Sequence, residues 1–257
     1  MDLELRDLRA LVTGGSAGIG LATAELLSGE GARVAIASRH PQEAADRIGA
    51  VAVVADLGTA NGCDTAVSDA AGALGGLDIL VNNVGTARVG EFEDATDQRW
   101  QSAWDTNVMS YVRCVRAALP HLRKSGSASI VCVASTSGKR PSAGMPEYSV
   151  TKAAVLSLSR LVADVYAEEG IRCSAVAPGP TLSPAWLDIG GLADQTAADS
   201  DRSREDVLAA VAAGRPLKRM AEPAEIAAVI AFLCSPRSSY VTGAAWGADG
   251  GTVPVII

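Results

Sequence analysis

Short apolar runs rich in Val, Ile and Ala alternate with helix-length stretches along most of this chain, and few architectures accept that pattern. The runs are residues 9–13 (RALVT), 33–37 (RVAIA), 51–55 (VAVVA), 78–81 (DILV), 129–134 (SIVCVA) and 172–177 (RCSAVA). They are apolar at nearly every position rather than at alternate ones, which suits strands buried on both faces of a parallel sheet. The stretches between them, 18–28, 41–48, 61–74, 97–123 and 146–169, are long enough for the crossover helices that parallel strands require. The expected fold is α/β, a doubly wound parallel sheet with right-handed connections and helices on both faces. No Pro/Gly/Ser linker, repeat or low-complexity tract divides the chain, so one domain over 1–257 is expected. Residues 178–202 read as irregular and open a loop or lid spanning about 180–214, a length that in compact domains usually carries function. Ser203 reads as the N-cap of a helix with Glu205 and Asp206 in its first turn, and Glu222-Pro223 as the start of another reaching residue 233.

Composition removes several functions. Lys+Arg 22 against Asp+Glu 29 gives a net charge of −7, the wrong sign for a nucleic-acid partner. No apolar run is long enough to span a membrane, and the charged start Met1-Asp2-Leu3-Glu4-Leu5-Arg6-Asp7 lacks the layout of a signal peptide. A soluble, cytoplasmic protein is the expectation. Cys63, Cys114, Cys132, Cys173 and Cys234 are scattered, with no C-x-x-C pair, and read as small core residues in a reducing compartment. His40 and His121 stand alone, so neither a metal site nor a histidine-based triad is expected.

The first apolar run ends in Thr13-Gly14-Gly15-Ser16-Ala17-Gly18-Ile19-Gly20 and leads straight into a helix. Glycines let the backbone turn sharply and approach a ligand, and free N–H groups at a helix start attract phosphate. The spelling is neither G-x-G-x-x-G nor a Walker loop, so this loop alone is also compatible with a tight turn of no function. Three further motifs follow in order: Asn82-Asn83-Val84-Gly85, Tyr148-x-x-x-Lys152 and Pro178-Gly179. Together with Gly247-Ala248-Asp249-Gly250-Gly251, the set resembles the short-chain dehydrogenase/reductase family, in particular its 3-oxoacyl reductase-like members, over nearly the whole chain. Val84 departs from the family's usual Ala, a small apolar change.

The resemblance implies a Rossmann sheet of about seven strands with a nicotinamide dinucleotide across the strand ends. It places Gly14, Ser16, Ala17, Gly18 and Ile19 along the pyrophosphate, Asp56 and Leu57 by the adenine, and Asn83 and Gly85 beside the adenosine ribose. Pro178, Gly179 and Thr181 would meet the nicotinamide end. Asp56 also fits a plainer role, capping the turn after a strand. At the end of the second run an NAD enzyme of this shape usually carries an acidic residue. Here Ser38 and Arg39 stand there. A serine can donate to a 2′-phosphate and an arginine can fork onto it, so NADP(H) is expected over NAD(H), with a solvated loop arginine as the alternative. The family's other basic marker is missing, because Ala17 precedes Gly18.

Tyr148 and Lys152, four apart on an expected helix, share one face. A phenol with a pKa of about 10 exchanges protons poorly at neutral pH unless its anion is stabilised, and a neighbouring ammonium or an oxidised nicotinamide would do so. Ser135 precedes Tyr148 by the family spacing for the serine that holds the substrate oxygen, with Thr136 and Ser137 as competitors for the role. Asn107 matches the residue that holds a water in a relay to Lys152, and a helix-interior Asn making local bonds is its alternative. Trp100 and Trp104 read as core or interface residues.

The activity implied is interconversion of a carbonyl and a secondary alcohol, with Tyr148 as general acid or base and Ser135, Lys152 and Asn107 in support. A dinucleotide-sensing protein without turnover is the non-enzyme alternative. A homotetramer is expected from the family, with the apolar tail Val253-Pro254-Val255-Ile256-Ile257 suited to a subunit contact. The substrate expected is a free small molecule: a ketone, a 3-oxoacyl thioester, a sugar or similar. The alternative, 3-oxoacyl-[acyl-carrier-protein] reduction, needs basic residues at the entrance to meet an acidic carrier. This chain reads Ala167-Glu168-Glu169-Gly170 at one such position and adds Asp188, Asp194, Asp199 and Asp201 in the lid, partly offset by Arg202 and Arg204, with Arg123 and Lys124 as the obvious basic pair, read as a solvated helix end.

Overall fold

A computed structural model describes residues 2–254; the end of the expected apolar tail, Val255–Ile257, lies outside the described residues. Seven parallel strands form one sheet in the order β3-β2-β1-β4-β5-β6-β7. They are β1 Arg9–Thr13, β2 Arg33–Ser38, β3 Val51–Val54, β4 Ile79–Asn82, β5 Ser129–Val133, β6 Arg172–Pro178 and β7 Ala245–Ala248. Sequence analysis named the first six within a residue or two. Strand β7 is short and half-exposed, so it lacks the apolar run that marks the others.

Successive residues of each strand face opposite layers, as a period of two demands. Leu11, Leu80, Ile130 and Cys132 pack under α3 (Ala60–Leu74), α5 (Ser110–Leu122) and α7 (Pro146–Tyr166). Their neighbours Ala10, Val12, Ile79, Val81 and Val131 pack under α1 (Gly18–Gly29), α2 (Gln42–Ile48) and α11 (Pro223–Cys234). All five cysteines are free and buried.

Local chemistry sets the helix ends. Thr59 Oγ1 accepts from Gly62 N at 3.0 Å to start α3, and Gly75, at φ 79, ends it. Ser203 caps α10 (Arg204–Ala213), accepting from Asp206 N at 3.1 Å, as its sequence indicates. Glu222 and Glu225 close a capping box on α11 with Pro223 in the first turn.

Two segments differ from the sequence expectation. Residues 97–123 stay helical but not uniformly so: α4 (Asp97–Trp104) passes into a wide turn, Asp105–Met109, with i→i+5 hydrogen bonding, and continues as α5. The irregular stretch 178–202 holds two short helices, α8 (Pro184–Leu187) and α9 (Leu192–Ala198). α6 (Thr136–Lys139) completes the set.

Strand order reverses between β1 and β4. The loops leaving their C-terminal ends diverge there and open a crevice, the place where ligands bind in sheets of this kind. No helix of the described residues is long and apolar enough to cross a membrane.

Candidate active site

A cleft of roughly 1200 Å³, its open mouth included, lies at the strand C-termini over this switch point. Its floor is the glycine loop. Gly14 sits at φ 63, and a Cβ on Gly20 would lie 2.3 Å from Gly14 O, so the loop folds back on itself more tightly than any side chain allows. Ala17, the N-cap of α1, supplies no side-chain hydrogen bond, which leaves first-turn N–H groups facing outward. Asn83 braces the loop by donating from Nδ2 to Thr13 O (3.0 Å) and Gly14 O (3.1 Å), and Thr13 Oγ1 accepts from Asn83 N at 2.9 Å. An open cradle with unengaged amide donors at a helix start suits a diphosphate, so these residues fit a dinucleotide.

Ser135, Tyr148 and Lys152 meet on the opposite wall. Ser135 ends β5 in extended backbone and caps α6, its Oγ accepting from Ser137 N at 3.1 Å. One acceptor site is thereby used, leaving the hydroxyl proton and the second lone pair for a partner in the cleft. Tyr148 stands on the first turn of α7 and lines the cleft together with Ser135. Burial raises its pKa above the ordinary phenol value, and Ser135 offsets part of that rise.

Lys152 lies one turn further along α7 and is 3% exposed. Its Nζ donates to Val133 O at 2.8 Å and approaches Tyr111 Oη at 3.4 Å, while Tyr111 itself donates to Val133 O at 3.0 Å. Burial without a carboxylate partner lowers the Lys152 pKa to about 8. The ammonium sits 5.8 Å from the Tyr148 ring centre. Desolvation is the largest influence on the Tyr148 hydroxyl, ahead of Ser135.

The cleft gathers Gly14, Ala17, Gly18, Ile19, Asn83, Gly85, Pro178, Gly179 and Thr181 from the expected cofactor set. The others stand apart from it. Ser16 is half-buried off the cleft. Ser38 ends β2 with its Oγ accepting from His40 N at 3.3 Å, and Arg39 beside it is exposed. Asp56 is exposed and turns the chain by accepting from Gly58 N at 3.0 Å, the plainer role open to it. Leu57 buries its side chain in the core, so its backbone alone could meet a cofactor.

Asn107 lies beside Lys152 rather than in the lining of the cleft. It is fully buried in the wide turn, where Nδ2 donates to Thr86 O (2.9 Å) and Thr151 Oγ1 (3.0 Å) and Oδ1 accepts from Thr86 N (2.8 Å). Its amide locks the loop after β4 onto α7. A Cβ on Gly85 would touch both Asn107 Oδ1 and Lys152 Nζ at 3.4 Å, so the two face one another across that glycine.

Sequence reasoning missed Tyr111, Thr86 and Thr151, which carry no motif of their own. Tyr111 could have been found from its place four residues after Asn107. The lid was expected only as irregular chain. Its Trp186 and Leu192 wall the cleft, and Ser183 lies against Gly18, whose Cβ would approach it at 3.3 Å. Gln195 Oε1 accepts from Val89 N at 2.9 Å, and Arg204 pairs with Asp194 at 2.9 Å and bonds to Leu187 O. Arg123 and Glu169, expected beside the entrance, pair with each other at 2.5 Å at the far ends of α5 and α7, where strands begin rather than end. Among the described residues no group of three His, Cys, Asp or Glu could hold a metal ion.

A family model described as enoyl-(acyl carrier protein) reductase matches residues 14–253. The uncharacterized oxidoreductase YvrD of Bacillus subtilis is 35% identical, covering 98% of this chain and 99% of that protein. The 3-oxoacyl-[acyl-carrier-protein] reductase FabG of Staphylococcus aureus is 32% identical over 94% of this chain and 96% of its own. Among solved structures, L-sorbose reductase from Gluconobacter frateurii, complexed with NADPH and L-sorbose, superposes with TM-score 0.91 at 34% identity and full coverage of both chains.

Proposed function

The chain belongs to the short-chain dehydrogenase/reductase family and is an oxidoreductase acting on a small molecule, and from that premise we propose that it interconverts a carbonyl and a secondary alcohol with NADP(H). The convergence of Ser135, Tyr148 and Lys152 on one wall of a cleft floored by the glycine loop carries this reading. Gly14, Ala17, Gly18 and Ile19 would hold the nicotinamide dinucleotide, which would supply hydride-transfer chemistry at the carbonyl carbon. The free Ser135 hydroxyl proton holds the substrate oxygen. Tyr148, a half-buried phenol and therefore protonated at ordinary pH, gives that oxygen its proton; in the oxidative direction it receives one, which favours higher pH. Lys152, anchored by Val133 O, orients the cofactor ribose. A pure dinucleotide sensor would need no such proton donor.

Three findings support NADP(H): Ser38 and Arg39 close β2 without a carboxylate, Arg39 is exposed, and a relative of like fold holds NADPH. A free small molecule, rather than a carrier-bound acyl chain, is supported by the lid's exposed Asp188, Asp199 and Asp201, which would repel an acidic carrier. A homotetramer is the family expectation, and the exposed apolar side chains along α7, Val150 (48%), Leu161 (59%) and Val165 (54%), suit a contact between subunits. The test is a panel of ketones, sugars, free 3-oxoacyl thioesters and their carrier-bound forms, each assayed with NADPH and NADH. Turnover of free carbonyls with NADPH is expected. A kcat/KM far higher for the carrier-bound substrate, and falling with salt, would overturn the free-substrate assignment.

A further inference from the structure

The lid is tied together within itself and to the rest of the chain by few polar contacts. Arg204 of α10 joins its parts, reaching Asp194 of α9 at 2.9 Å and Leu187 O at the end of α8. Its root lies at the glycine-loop end of the cleft, where Ser183 and Pro184 stand against Gly18. There Leu182 N donates to Ala221 O at 2.8 Å and Ala221 N donates to Pro180 O at 3.0 Å. Beyond that root, residues 183–203 make a single hydrogen bond to anything outside the lid among the described residues: Val89 N donates to Gln195 Oε1 at 2.9 Å. The other end of the same amide is engaged too, since Gln195 Nε2 donates to Gly190 O at 2.8 Å. One side chain of α9 thus joins the loop after β4 to the turn between α8 and α9.

That bond is placed to act on the substrate side of the cleft. Val89 follows Thr86 and Ala87, which line the cleft together with Tyr148. Thr86 is fixed to the body of the protein by Asn107, so the loop that receives the lid is a firm seat. On α9, Leu192 precedes Gln195 by one helical turn and shares its face, and Leu192 is buried and lines the cleft. Apolar burial of Leu192 and Ala193 holds α9 down but has no direction, whereas a hydrogen bond fixes where the helix sits. We infer that Gln195 is a positioning residue for the reaction: by latching α9 to Val89 N it sets Leu192 and Trp186 as the wall of the substrate pocket. This rests on the carbonyl–alcohol reading above. Gln195 itself touches no reacting atom, and cofactor held at the glycine loop and the lid root does not depend on it.

The test compares the wild-type protein with Gln195→Met, which keeps the length of the side chain and removes both hydrogen bonds, and with Gln195→Glu, which keeps an acceptor for Val89 N. In Gln195→Met, kcat/KM for the best carbonyl of the panel above should fall about 2- to 12-fold, the worth of one neutral hydrogen bond, with the change mainly in KM. The Kd for NADPH should stay within about twofold, less than that one bond is worth, and Gln195→Glu should recover most of the lost kcat/KM. Hydrogen exchange, with and without NADPH, reads the latch without any substrate: amides of residues 185–200 should exchange faster in Gln195→Met, by the same factor of about 2 to 12, while those of α7 keep their wild-type rates. Unchanged kcat/KM or unchanged lid exchange in Gln195→Met overturns the latch and leaves the oxidoreductase reading intact. Equal losses in NADPH affinity and kcat/KM that Gln195→Glu does not recover also overturn it, because Gln195 then only supports the fold. If the wild-type protein turns over no carbonyl with either cofactor, the carbonyl–alcohol reading fails, and hydrogen exchange alone decides the latch.

Discussion

Lys152→Met should make the protein more stable and inactive at once. The wild-type ammonium is buried with a backbone carbonyl and a phenol for partners, and its pKa falls from 10.5 to about 8. At about 1.36 kcal/mol per tenfold change in acidity, that gap corresponds to about 3 kcal/mol of native-state penalty for keeping the charge. Methionine keeps the chain length and removes the charge, losing the bond to Val133 O, a term of about 1 kcal/mol. Val133 O retains the Tyr111 hydroxyl. The net expectation is a gain of about 2 kcal/mol at pH 7. Its pH dependence follows from linkage: between about 8 and 10.5 the unfolded lysine holds a proton that the folded one has released, so wild-type stability rises with pH across that window. The advantage of the variant is therefore full below pH 8 and lost as pH approaches 10.5. Urea unfolding of the cofactor-free proteins at pH 7 and pH 10, at one fixed protein concentration, measures both. A variant no more stable than wild type at pH 7, or an advantage that does not shrink with pH, would refute the assignment of a desolvated ammonium.

Two further outcomes are expected. Arg39→Ala should weaken NADPH about 10- to 150-fold and hardly change NADH, while Ser38→Asp should shift preference toward NADH; equal losses for both cofactors in fluorescence titrations would remove Arg39 from phosphate recognition. Asn107→Ala removes the hydrogen bonds that tie Thr86 N, Thr86 O and Thr151 Oγ1 together and should lower stability by about 1–3 kcal/mol together with kcat/KM, whereas an unchanged urea midpoint would mean that the loop after β4 is held by other contacts.

The strands and their flanking helices were legible because burial on both faces leaves a run of Val, Ile and Ala that nothing else produces. β7 was not, since an edge strand with a half-exposed Trp246 needs no such run. The wide turn at Asp105–Met109 leaves no composition signal; it exists because Asn107 must reach Thr86 and Thr151, contacts that are distant in sequence. Spacing alone brought Ser135, Tyr148 and Lys152 to one wall. It could not reveal that Lys152 turns to Val133 O, because that choice belongs to the carbonyl of a neighbouring strand. Nor could the sequence show that the acids at the end of α7 lie at the opposite edge of the sheet, which only the antiparallel course of the helix decides.

The central claim is that Tyr148 passes the proton, and its most direct test is kcat for Tyr148→Phe with a turned-over carbonyl, alongside the Kd for NADPH. Removal of one hydroxyl keeps the packing and the cradle of the glycine loop, so the Kd should stay within about threefold of wild type while kcat falls by about 10²–10⁴, the usual worth of general acid–base catalysis. A variant that binds NADPH normally and keeps more than about a tenth of wild-type kcat would contradict the account.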